Sequence, residues 1–286
     1  MQIGDVVVRK SYERDVTFKI IDIAYTGSGK IYSLKGIKLR IIADAPENDL
    51  ELAAENYSSQ SEQVFNNKVN SSIKKILLHR GGSGRMYRGA KAIDTKELVF
   101  GRPGKVLHID GDSDYMEACL KVYKQLKLNV VGKVIPEEEQ PLKVVELVKE
   151  IKPDIVVVTG HDSIMKDTKD FIDLNNYKNS RYYVDSVTAL RNYESDYDNL
   201  VIFAGACQSC YEAILDAGAN FASSPSRVLI HCLDPVFICE TIAYSNIEKV
   251  VSIQEALENT ITGTKGIGGL QTRGRYREGF PKSTYV

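Results

Sequence analysis

Two short apolar runs end on residues that can do chemistry. DIVVVTG leads directly into His161, and LVIFAG leads through Ala206 into Cys207, 46 positions further on. A brief apolar run bounded by turn residues reads as a buried strand, and strands of this kind belong side by side in a parallel sheet. In open parallel sheets, functional groups collect beyond the carboxyl ends of the strands, where helix N-termini also point. Cys207 precedes a helix expected over 208–217, so its thiolate is favoured by the helix dipole, and a nearby imidazole can take its proton. The pair predicts nucleophilic catalysis. The Cys207 thiolate attacks a peptide carbonyl, backbone N–H groups near Gly160 and Cys207 hold the oxyanion, and His161 protonates the leaving amine. That chemistry calls for no metal and no cofactor.

Other constellations compete for the same residues. Cys207 and Cys210 form a C-x-x-C pair after a strand, the spacing of a thiol-disulfide oxidoreductase, but the chain has no Trp and no evident cis-Pro loop. Cys207, Cys210, His231, Cys232 and Cys239 can be written as a zinc set. Its second half falls on an expected strand and helix, where Cys232 and Cys239 read as small core residues and His231 as a polar group on the same carboxyl edge. HIDGDSD, 108–114, pairs acids after a first strand, as metal-binding receiver domains do. The third strand ends in His161 rather than a phospho-accepting Asp, so Asp112 or Ser113 reads as a helix cap, and His108 and Cys119 as core.

These residues need a scaffold. Strands expected at 106–110, 129–135, 154–160, 200–205 and 227–232 alternate with helices, which predicts an α/β body over 105–246 with a doubly wound, mostly parallel sheet. Helical spacing turns Tyr115, Ala118, Cys119, Val122 and Leu126 inward in the first helix, and Leu142, Val145, Val148 and Ile151 in the second. Residues 1–45 read as short strands at 5–9, 16–23, 30–34 and 39–42, a small β-barrel module for docking or regulation. The stretch 46–104 reads as a linker with a short helix at 50–56 and a basic loop, HRGGSGRMYRG at 79–89, which should be exposed and easily cut. Over 247–286 a short helix precedes GTKGIGGLQTRGRYREGF, whose six glycines predict a tail or a clamp that orders on binding.

The 286 residues have a hydrophobic share of 43% and a charged share of 26%, as folded globular chains do. A net charge of -1 excludes a global drive toward nucleic acid or an anionic membrane. Charge is local instead: nine basic residues against two acids over 74–105 give +7, and 265–286 carries +4. MQIGDVVVRK has no signal-peptide pattern, and no apolar run is long enough to span a bilayer, so cytoplasmic synthesis without membrane insertion is expected. Five cysteines do not suggest a secreted disulfide framework.

A catalytic His about 50 residues before a Cys, each at the end of neighbouring parallel strands, is the arrangement of caspase-like peptidases. A caspase- or flavodoxin-like sheet is therefore the expected fold. The segments VVVTGHDS and FAGACQSCYEAILDAGANFASSP, with IGDVVVRKSY and ADAPENDL, resemble the YabG family of sporulation-specific cysteine peptidases along essentially the whole chain. The resemblance implies processing of spore coat and cortex-associated proteins, in the mother cell and forming spore coat, with His161 and Cys207 as the reactive pair. It also implies cleavage after arginine, which needs a carboxylate at the pocket floor: Asp162, Asp234 and Glu240 are the candidates. Arg80, Arg85 and Arg88 are candidate self-cleavage sites. The rival reading is a non-catalytic spore-coat scaffold.

Overall fold

The computed structural model describes residues 1–27, 29–53, 60–82 and 99–283. At the N-terminus, β1 (Val6–Arg9), β2 (Thr17–Thr26), β3 (Gly29–Gly36), β4 (Ile42–Pro46) and β5 (Leu50–Leu52) form one antiparallel sheet in the order β4-β3-β2-β1-β5. Alternation sends Val7, Phe18, Ile20, Tyr32, Leu34, Ala45 and Leu50 to one buried cluster. The helix expected at 50–56 is corrected over its described part. Leu50–Leu52 is a strand because Leu50 completes this core, while Asp49 just before it accepts hydrogen bonds from Ser11 and Arg9.

Where a linker was expected, α1 (Gln60–Gly82) runs for 23 residues. A stripe of Phe65, Val69, Ile73 and Ile76 faces the body, one apolar residue per turn, and the polar composition around it hides the period. The helix takes in the start of the expected basic loop; the remainder, with Arg85 and Arg88, lies outside the described residues.

The body contains β6 (Phe100–Arg102), β7 (Val106–Asp110), α2 (Ser113–Gln125), β8 (Val130–Val134), α3 (Gln140–Ile151), β9 (Ile155–Thr159), α4 (Ser180–Tyr193), β10 (Val201–Ala204), α5 (Tyr211–Asp216), β11 (Phe221–Ser223) and α6 (Asp234–Ala243). It ends with β12 (Val250–Val251), α7 (Ile253–Leu257), β13 (Ile267–Gly269), β14 (Thr272–Arg273) and β15 (Arg277–Gly279). Five strands are parallel in the order β11-β10-β9-β7-β8, and β13 adds antiparallel at the β11 edge. The pleat splits the core between two faces. Val106, Ile155 and Val201 pack with α1, α2 and α6, while Leu107, Val156 and Ile202 pack with α3, α4 and α5.

Three further expectations are corrected. The strand at 227–232 is instead a loop, and the fifth parallel strand is Phe221–Ser223, too short to show a pattern but in register with Phe203 and Ala204. In α3 Val145, Val148 and Ile151 pack against the core as expected, but the innermost positions also include Gln140 and Val144, and Leu142 is 81% exposed. The glycine-rich end is ordered over its described part, because five of its six glycines serve close packing rather than freedom. A Cβ on Gly274 would stand 2.3 Å from the Ser245 carbonyl oxygen.

Candidate active site

The backbone at the end of β9 is held from both sides. His161 N–H donates to Glu137 Oε1 at 2.6 Å, and its carbonyl accepts from Asn179 Nδ2 at 2.9 Å and the Tyr183 hydroxyl at 3.0 Å. The imidazole is thereby aimed across the sheet edge at α2, where its Nε2 lies 2.9 Å from Asp112 Oδ2. Asp112 is fixed in turn. It caps α2, accepting from the N–H groups of Asp114 and Tyr115, and receives Lys35 Nζ at 3.1 Å from β3. Burial alone would raise the Asp112 carboxyl, but hydrogen bonds from His161 and Lys35 and the Lys35 charge outweigh it and hold it well below the usual carboxylate range. An ionised Asp112 can only accept, so in the neutral ring Nε2 carries the proton and Nδ1 holds the unshared lone pair. Nδ1 is buried and makes no hydrogen bond.

Cys207 arrives from the next strand. After β10, Gly205 turns at φ 107° and Gln208 at φ 56°, and Ser209 Oγ accepts from Ala206 N–H at 2.9 Å to close the loop. The helix begins only at Tyr211, later than expected, so the thiol is not at its first turn. Its sulfur instead accepts from Ile230 N–H at 3.2 Å, in the loop that replaced the expected strand. Cys207 is 1% exposed. Burial pushes its thiol up to about 12, against the easing effect of the Ile230 and Arg40 backbone groups and the Arg40 charge. In this state it is a protonated thiol at neutral pH.

The three acids proposed for a pocket floor are occupied by internal groups. Asp162 accepts from Ser163 N–H, Asn179 N–H, Ser209 Oγ and Ser180 Oγ, and so ties the His161 loop to the Cys207 loop. Asp234 accepts from the N–H groups of His231, Ile261 and Thr262 and from the Thr262 hydroxyl. Glu240 lies 3.4 Å from Arg80 Nη2. Arg80 itself, at the end of α1, donates to the Leu126 carbonyl at 2.8 Å and lies 3.8 Å from the Tyr244 ring centre. Gly160 is buried beside His161, and its carbonyl accepts from Arg40 Nη1 at 3.2 Å.

Sequence reasoning missed Asp112 as the imidazole's partner, as well as Asp110, Arg40 and Tyr115. The first two lie in HIDGDSD, whose paired acids were the available signal. All five cysteines are free thiols, and no group of three or more His, Cys, Asp or Glu side chains among the described residues is placed to hold a metal ion. No described helix is long and apolar enough to cross a membrane.

Residues 2–281 match the family described as YabG peptidase U57. The chain is 40% identical over 287 residues to the sporulation-specific protease YabG of Bacillus subtilis (strain 168), covering 98% of each chain. Among solved structures, a cysteine desulfurase from Escherichia coli, CsdA, matches 66% of this chain and 49% of its own at 11% identity, and its TM-score of 0.24 carries no argument.

Proposed function

The chain belongs to the YabG peptidase U57 family, and from that membership we propose that this sporulation peptidase is a cysteine endopeptidase of caspase-like fold that cleaves spore coat and cortex-associated proteins after arginine. Cys207 is the nucleophile, His161 the base that takes its proton and returns it to the leaving amine, and Asp112 the residue that positions His161. Backbone N–H groups near Gly160 and Cys207 receive the oxyanion. Self-cleavage falls at Arg80, Arg85 or Arg88, the arginines of the basic segment 79–89.

One observation carries this reading. His161, bonded to an ionised Asp112 and with Nδ1 unengaged, lies just past the strand next to the one that delivers Cys207. Hydrolysis through a thiol uses a nucleophile with a base in reach of it, and an acid that orients the base supports that role. The test is cleavage of a short arginine-containing fluorogenic peptide by the wild type, Cys207→Ala and His161→Ala, with iodoacetamide added to wild type under reducing conditions. The expected result is loss in all three perturbations. Activity retained in Cys207→Ala overturns the mechanism.

A further inference from the structure

Arg40 heads the largest fully buried side chains among the described residues, yet it does not belong to its own module's core. It leaves the loop between β3 and β4 and crosses into the α/β body. Its guanidinium meets Asp110 through both terminal nitrogens, Nη1 on Oδ1 at 3.0 Å and Nη2 on Oδ2, and both side chains are 0% exposed. Nη1 also donates to the Gly160 carbonyl, and the Tyr115 ring lies 4.8 Å from the guanidinium carbon.

Asp110 is the last residue of β7 and Gly160 comes directly after β9, its neighbour in the sheet, so this acceptor set lies at the same edge as the reactive groups. Asp110 is itself pinned by Asp112 N–H at 2.9 Å and Thr159 Oγ1 at 2.8 Å. A rigid carboxylate accepting in a fork, a carbonyl and an aromatic face match a guanidinium and suit an ammonium less well.

The main chain before Arg40 is held as a bound peptide would be. Lys38 O accepts from Cys232 N–H at 3.4 Å, Leu39 bridges antiparallel to His231, and the Tyr115 hydroxyl lies 2.7 Å from Leu39 O. This is a single antiparallel bridge onto the loop at 230–232, the segment whose Ile230 N–H touches the Cys207 sulfur.

We propose that Asp110, the Gly160 carbonyl and Tyr115 form the pocket for the arginine side chain of a substrate, and that Arg40 fills this pocket as a built-in occupant that competes with substrate and holds activity down. The proposal rests on the peptidase reading and names where its arginine preference resides. The same hairpin places Lys35 on Asp112, so its withdrawal frees the arginine site and changes the charge beside His161 together. A tethered arginine competes at millimolar effective concentration, which an untethered substrate must overcome.

The test labels Cys207 in full-length protein with a peptidyl-arginyl chloromethyl ketone, its leucyl counterpart and iodoacetamide, read by intact mass. Arg40→Ala is expected to react with the arginyl reagent at least about tenfold faster than wild type, with the arginyl reagent preferred over the leucyl one by about a hundredfold or more. Arg40→Ala with Asp110→Asn is expected to lose that preference while iodoacetamide labelling stays fast. Arg40→Met, which keeps the apolar stem, repeats the first arm if Arg40→Ala does not fold. Arginyl preference surviving Asp110→Asn overturns the pocket, and no acceleration in either Arg40 variant overturns the occupant. Iodoacetamide labelling of Cys207 without peptide cleavage or reaction with either ketone in the Arg40 variants sinks the peptidase reading itself.

Discussion

His161 Nε2 stands 2.9 Å from Asp112 Oδ2, and this bond decides which ring nitrogen is free to act as a base. Asp112→Asn keeps an oxygen to cap α2 but removes the charge that fixes the tautomer. Cleavage of an arginyl peptide should fall about 10²- to 10⁴-fold in kcat, with KM little changed. A loss confined to KM would mean that Asp112 serves binding rather than His161.

Asp162 joins two loops rather than facing solvent, being 7% exposed with four donors on its carboxylate. Asp162→Asn turns one acceptor into a donor facing other donors, costing about 2–3 kcal/mol. The melting temperature should fall by several degrees and peptide turnover should drop, with arginine still preferred over lysine. An inverted preference would place Asp162 in the specificity pocket instead.

Burial holds His231 down at about 4, with the charges of Lys38, Arg40 and Lys68 acting in the same sense, and burial lowers His108 as well. Unfolding lets each imidazole take a proton below its ordinary value near 6.5, so the unfolded chain binds more protons there and stability rises with pH. This stability is fully present above about pH 6.5 and is lost as pH falls toward 4, about 3 kcal/mol for His231. His231→Gln should flatten the melting temperature between those limits by that share. An unchanged slope would contradict the assignment.

Gly274 touches main chain, not a side chain that can swing away. An added Cβ would meet Ser245 O at 2.3 Å and Asn246 O at 2.4 Å, whereas one on Gly27 would meet nothing within 4 Å. Gly274→Ala should cost about 1–3 kcal/mol in urea unfolding, and Gly27→Ala close to none. Equal stability of the two variants would show that the C-terminal segment adjusts.

The parallel strands were legible because strands covered on both faces are continuous apolar runs, and His161 and Cys207 stood out as the reactive side chains just past two of them. The last strand escaped because Phe221–Ser223 is only three residues long, while the apolar run at 227–232 covers Cys207 without joining the sheet. The stripe from Phe65 to Ile76 was present but diluted by polar neighbours. Arg40 gave no local signal, since Asp110 is 70 residues away and only the docking of one module on the other brings them together.

Strand β15 pairs with β6 just beyond residues 83–98, and on the other side of that segment α1 is fastened to the body by Ile76, by Lys68 to the Ile261 carbonyl and by Lys75 to Glu258. Each flank therefore has its own grip on the body. A single cut between them would break the covalent thread while leaving the assembly whole: two polypeptides by denaturing electrophoresis, one particle by gel filtration.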